Sequence, residues 1–152
     1  MSNQVGAVLL TMGKRPEELA RALASLKNQQ GATIDLVIVG NGWNPAIQFP
    51  HEKTLHLPEN LGIPAGRNAG VAQVSGEYLF FLDDDAYLDN QNALSALIEK
   101  LESHQEWGLI QPRVDPDGPG VVPNRWIPRL RVGDPLQSSP ATTLWEGAVI
   151  IR

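Results

Sequence analysis

The sequence predicts an α/β fold built on a mostly parallel central sheet with helices on both faces, and three observations carry that reading. Strongly apolar runs of strand length recur at Val5–Thr11, Ile34–Val39 and Tyr78–Leu82. Between the first two lies a segment with helical spacing, so strand, helix and strand follow one another as a βαβ unit, which implies parallel pairing and a right-handed crossover. The third run breaks abruptly into Asp83-Asp84-Asp85, and in open α/β sheets ligands gather outside the carboxyl ends of strands. Three adjacent carboxylates repel one another there. A hard divalent cation, which takes oxygen ligands and shares them with substrate phosphates, is the natural compensation. The alternative is a solvated acidic turn that only stops the strand.

Each element has its own signature. Met12 to Arg15 turns the chain after the first strand. Pro16-Glu17-Glu18 then opens a helix, with proline near its first position and acids in its first turn. Leu19, Leu23 and Leu26 recur at helical spacing, and Gln29-Gln30-Gly31 ends the run. The second strand, rich in β-branched residues, stops at Gly40-Asn41-Gly42, and Thr54–Leu57 reads as a short third strand. Ala65–Val74 is expected to be helical despite Gly66 and Gly70, which points to close approach of either the sheet or a ligand. Asn90 or Asn92 is placed to cap a further helix with Leu94, Leu97, Ile98 and Leu101 as its apolar stripe. Leu109–Val114 and Leu144–Ile151 are expected strands, separated by proline-rich loops.

Composition narrows the class. A chain of 152 residues, 42% hydrophobic and 19% charged, is one domain's worth of globular protein with a real core. Its net charge of −5 disfavours nucleic-acid or anionic-membrane binding, and the absence of cysteine excludes disulfides and thiolate metal sites. No run is long enough to span a membrane, and no basic region precedes Val5–Thr11 as in a signal peptide. The expectation is a cytoplasmic protein, with peripheral membrane attachment left open. An apolar strand running directly to Arg152 suggests the first part of a longer protein.

Taken together, Thr11 to Leu19 (TMGKRPEEL), Val37 to Gly42 (VIVGNG), Glu59 to Gly62 (ENLG), Gly66 to Gly70 (GRNAG) and Phe81 to Asp85 (FLDDD) resemble glycosyltransferase family 2 in order and spacing. The resemblance covers nearly the whole chain. It implies the GT-A fold, a Rossmann-like sandwich that binds a nucleotide-sugar and a divalent metal, Mn2+ or Mg2+, with residues 1–152 as its incomplete donor-binding domain. It further implies transfer of a hexosyl-type sugar from a nucleoside diphosphate to an acceptor hydroxyl, with inversion. Thr11 and Arg15 would contact nucleoside and phosphates, and Arg67 would face the nucleotide. Asp83 and Asp85 would be the outer members of a DXD motif, Asp83 nearer the ribose and both toward the metal, with Asp84 assisting or pointing to water.

Two departures from the family pattern matter. Gly40 stands where the family's second strand usually ends in a base-binding aspartate, so the donor base and sugar are open. Asn41 is the nearest substitute, since an amide both donates and accepts, and Trp43 either stacks on the base or covers the sheet. The family's catalytic carboxylate usually lies in a region beyond the last strand. Glu146 is the one carboxylate near the chain's end, a weak candidate for the base that otherwise bonds nearby backbone. Arg15 and Arg67 also have structural readings, the latter as a partner of Glu59 or Glu77, and Asn68 reads as a surface amide. Arg125, Arg129 and Arg131 around Trp126 suit either an anionic acceptor or a solvated loop. Glycan, lipid and small-molecule acceptors all remain open. The competing readings are a nucleotide-binding module without turnover and an aspartate-nucleophile phosphohydrolase. The second is disfavoured because the triplet lies in mid-chain and Ala86-Tyr87 follows it.

Overall fold

The computed structural model describes residues 3–118, 137–141 and 143–152. Within them one six-stranded sheet comprises β1 (Gln4–Thr11), β2 (Thr33–Asn41), β3 (Thr54–Leu57), β4 (Tyr78–Asp83), β5 (Leu109–Ile110) and β6 (Ala148–Ile151), in the order β3-β2-β1-β4-β6-β5. Strands β3, β2, β1 and β4 are parallel to one another, whereas β6 runs antiparallel to β4 and β5 antiparallel to β6. The expected mostly parallel sheet is therefore closed by an antiparallel side.

Helices α1 (Pro16–Lys27) and α3 (Ala93–Ser103) cover one face. Leu19, Leu23 and Leu26 of α1 and Leu94, Ile98 and Leu101 of α3 pack there with Leu9, Phe80 and Ile150. Burial of each such side chain stabilises by about 1.5–3 kcal/mol. Pro16, Glu17 and Glu18 at the start of α1 and Lys27 in its last turn match the helix dipole. Helix α2 (Ile63–Val71) lies on the other face, with Val71 packed against the cluster of Val8, Val37 and Val39. Its two glycines answer the question of what approaches: a Cβ on Gly70 would fall 2.5 Å from Val8 and 2.8 Å from Val39, and one on Gly66 would fall 2.7 Å from Leu10. They let the helix backbone settle on β1 and β2.

Several boundaries differ from the sequence expectation for local reasons. Helix α2 starts at Ile63 and ends at Val71, not at Ala65 and Val74. Strand β5 is confined to Leu109–Ile110, where it pairs with Ile151 and Ile150, and does not run on to Val114. Pro112 has no N–H to extend that ladder. Strand β6 begins at Ala148, not at Leu144: Glu146-Gly147 is a turn at the end of β4, joined to it by one further backbone bond from the Asp83 N–H to Gly147 O at 2.8 Å. Asn92 occupies the cap position of α3 without a side-chain cap bond, and its N–H instead donates to Asn90 Oδ1 at 2.8 Å. The Arg125, Trp126, Arg129 and Arg131 cluster lies outside the described residues.

Candidate functional site

Parallel pairing brings the ends of β1, β2 and β4 to one edge of the sheet. The antiparallel return of β6 puts its start there too, with Leu82 opposite Ala148. Thr11, Asn41, the acidic triplet and Glu146 are thereby gathered from four strand ends, while Arg15, the residue that caps α1, and Arg67, in the middle of α2, reach the same edge.

Asp84 and Asp85 form the turn that follows β4; Asp85 is exposed, whereas Asp83 and Asp84 are half-buried. Asp84 accepts a hydrogen bond from the Thr11 hydroxyl at 2.7 Å, and that hydroxyl in turn accepts from the Gly13 N–H at 3.0 Å. Asp84 thus faces the end of β1 and not water. Arg15 lies between the next two carboxylates, paired with Asp85 and 3.6 Å from Asp84. Asp83 takes Arg67 Nη2 on its Oδ1 at 2.7 Å. Burial pushes the Asp83 carboxyl above its ordinary range. Arg67 pulls the other way, and the charges of Asp85 and Asp84 add to the rise. Its ionised form is therefore one that a cation would relieve.

Arg67 is buried, at 6% exposure, and its partners are not Glu59 or Glu77. Its second nitrogen, Nη1, meets Glu146 Oε2 at 3.0 Å, and the Phe81 ring lies 5.5 Å from Cζ. Glu146 is thus directed at a guanidinium rather than at backbone. Sequence reasoning missed this bridge. The signal was present in the register of α2, where Arg67 sits on the same buried side as Gly66 and Gly70.

The end of β2 is filled from within. A Cβ at Gly40 would overlap the Trp43 carbonyl oxygen and crowd Pro45, so the backbone of the following loop occupies the space an aspartate would need. Asn41 is buried, and its carboxamide donates to Gly62 O at 3.1 Å and accepts from Leu61 N at 2.8 Å. It ties the Asn60-Leu61-Gly62 turn to the sheet. Trp43 packs partly buried against the core, and the space beside Gly13 is taken by its ring. A separate cavity of about 230 Å³, bounded by Leu26, Lys27, Gln29, Ala32, Ile34 and Leu36, lies toward the opposite end of the sheet.

Asp83 and Asp85 offer hard oxygen donors. A small divalent cation is commonly held by one or two carboxylates plus substrate phosphates, so the donor set fits such an ion in company with a ligand. Among the described residues no group of three or more His, Asp or Glu side chains forms a cage for a metal by itself.

Fold and site together define an open α/β domain of the GT-A type, with an acidic strand end flanked by arginines. The family model for glycosyl transferase family 2 matches residues 8–135, and the chain belongs to that family. Among curated relatives it is 32% identical over 89 residues to mouse (Mus musculus) beta-1,4 N-acetylgalactosaminyltransferase 1, covering 58% of this chain and 16% of that protein. It is 28% identical over 95 residues to glycosyltransferase GlyA of Streptococcus pneumoniae, covering 57% of this chain and 14% of that protein. Among solved structures, S. aureus TarS 1-349 superposes with a TM-score of 0.70 at 20% identity, covering 97% of this chain and 47% of that one. The mannosyltransferase PcManGT from Pyrobaculum calidifontis, solved with GDP-Man and Mn2+, gives 0.60 at 16% identity, covering 69% and 34%. The chain thus spans about one sixth of the first of these curated relatives and under half of these solved structures.

Proposed function

We propose that the chain is the donor-binding part of a metal-dependent glycosyltransferase that moves a hexosyl-type sugar from a nucleoside diphosphate to an acceptor hydroxyl with inversion. The observation that carries the reading is the acidic triplet at the end of β4, paired with Arg15 on its exposed side and Arg67 on its buried side. Family membership supports it, as does the GT-A neighbour solved with a nucleotide-sugar and Mn2+.

Asp83 and Asp85 would hold the divalent ion, which when bound neutralises charge on the diphosphate leaving group. Arg15, half exposed and already beside Asp84 and Asp85, is free to turn its guanidinium to phosphate oxygens. Thr11 keeps Asp84 fixed against the end of β1. Arg67 is too enclosed to serve the phosphates and instead orients Asp83. Asn41 leaves the donor set, because its amide carries the neighbouring turn. The base must then be read without a carboxylate at position 40. Inversion calls for a base on the far face of the anomeric carbon, a role to which we assign none of the carboxylates described at this edge.

Thermal unfolding with UDP, GDP and dTDP, each with and without Mn2+, tests the reading. One nucleotide should stabilise the wild-type chain only with the metal, by about 2.7 kcal/mol at a hundredfold excess over Kd. Asp85→Ala should remove that shift, with a loss of affinity beyond the ~10–100-fold typical of an outer-shell partner. No shift with any nucleotide, or an undiminished one in Asp85→Ala, overturns it. A module that holds nucleotide without turnover is the second reading, favoured by the engagement of Glu146 with Arg67. In the complete protein it would bind a sugar donor and release no nucleotide.

A further inference from the structure

We infer that Glu146 is a positioning residue for the donor side of the site, acting through Arg67 on Asp83, and not an acceptor-side base; the inference rests on the donor reading above. The first ground is geometric. Arg67 uses separate nitrogens for separate carboxylates, Nη2 for Asp83 at 2.7 Å and Nη1 for Glu146 at 3.0 Å, with its side chain 8% exposed. A guanidinium is a rigid planar fork. Fastening one nitrogen therefore sets the direction from which the other meets its partner, and Phe81 flanks the group at 5.5 Å.

The backbone gives a second ground. The Asp83 N–H donates to Gly147 O at 2.8 Å, and a Cβ on Gly147 would fall 2.6 Å from Asp83 Oδ2. The residue before Gly147 is thus anchored beside the first carboxylate of the triplet, on the donor side of the sheet edge.

Charge supplies the third. Arg67 and Asp83 alone would form a closed, neutral pair, in which the arginine competes with any cation for the carboxylate. With Glu146 the trio keeps one net negative charge. Asp83 can turn toward a metal ion or a ribose hydroxyl while the buried arginine retains a partner. Without Glu146 that turn would leave a buried charge unpaired, which is strongly unfavourable.

The test is a titration with Mn2+ plus UDP or GDP, whichever the wild-type chain binds, set beside the ligand-free melting temperature. Glu146→Gln should raise Kd about three- to fivefold, the range for a pair whose carboxylate is 56% exposed. Its ligand-free Tm should stay at the wild-type value, and Glu146→Asp should recover part of the affinity. Arg67→Ala and Glu146→Ala should be non-additive when combined. A wild-type Kd in Glu146→Gln overturns the inference, as does an additive double variant, or an affinity loss matched by a fall in ligand-free Tm. In the complete protein, lost transfer with unchanged nucleotide affinity would make Glu146 a base and overturn it too. A wild-type chain that binds neither nucleotide instead fails the donor reading on which this rests.

Discussion

The two ends of the sheet carry similar polar side chains in different balance. At the end where β2 and β4 begin, Asp35 is paired with Lys53 and accepts from the Ser75 N–H at 2.9 Å and hydroxyl at 3.1 Å. There Tyr78 donates to Glu102, whose carboxylate also meets Arg152 at 3.1 Å. Each acid has its own base, and the networks close on themselves. At the other end Asp83, Asp84, Asp85 and Glu146 share only Arg15 and Arg67 among the pairs formed by described residues. Closed networks hold the fold together; the open one retains negative charge, and that surplus marks where a cation and a phosphate-bearing ligand would be received.

That contrast can be broken at its centre. Arg67→Met leaves Asp83 and Glu146 facing each other without a cation. We expect a loss of about 3 kcal/mol in urea unfolding, at the low end for a broken buried pair because both carboxylates keep some contact with water. Added Mn2+ should return part of that loss, and a variant as stable as wild type would mean that the arginine is not what holds the edge.

The closed end makes a different prediction, in pH. Burial, helped by the bond to Glu102, pushes the Tyr78 hydroxyl up to about 12. A raised folded-state value means that the stabilisation is complete below the ordinary tyrosine range near ~10 and is lost as pH climbs toward 12. Tyr78→Phe should flatten that alkaline limb in chemical denaturation while costing about 1 kcal/mol at neutral pH. The smallest effect belongs to Asp35, whose carboxyl is held below its ordinary range chiefly by Lys53. Its contribution is present above ~pH 4 and fades as pH falls through the lowered value. Lys53→Met should shrink the acid sensitivity by less than about 1 kcal/mol.

How much of this was legible in the sequence follows the range of the interactions. The apolar runs of β1, β2 and β4 and the stripes of α1 and α3 are local patterns, and they matched the observed elements closely. Strand β6 was legible as a strand but not as the antiparallel neighbour of β4, because register between distant segments leaves no local trace. The shortness of β5 was legible in part, since Pro112, which cannot donate to a ladder, stands two residues past Ile110. At the site, the acidic triplet and both arginines could be named from their motifs, but not their pairing. Arg67 was expected to face a ligand and is committed to two carboxylates. Asn41 was expected to replace a missing acid and is spent on a turn. Gly40 shows why: what stands in the aspartate's place is the Trp43 carbonyl, which no motif at position 40 could reveal.

The docking of β6 has a consequence for the order of assembly. Phe80 pairs with Ile150, a contact that spans nearly half the chain. Until Ala148–Ile151 arrives, β4 has β1 on one side and an unmet row of amides and carbonyls on the other, an apolar edge open to pairing with another chain. As the polypeptide leaves the ribosome, the acidic triplet is made long before the strand that steadies it. The site therefore matures among the last parts of the domain, and the interval before it closes is when the chain is most exposed to aggregation.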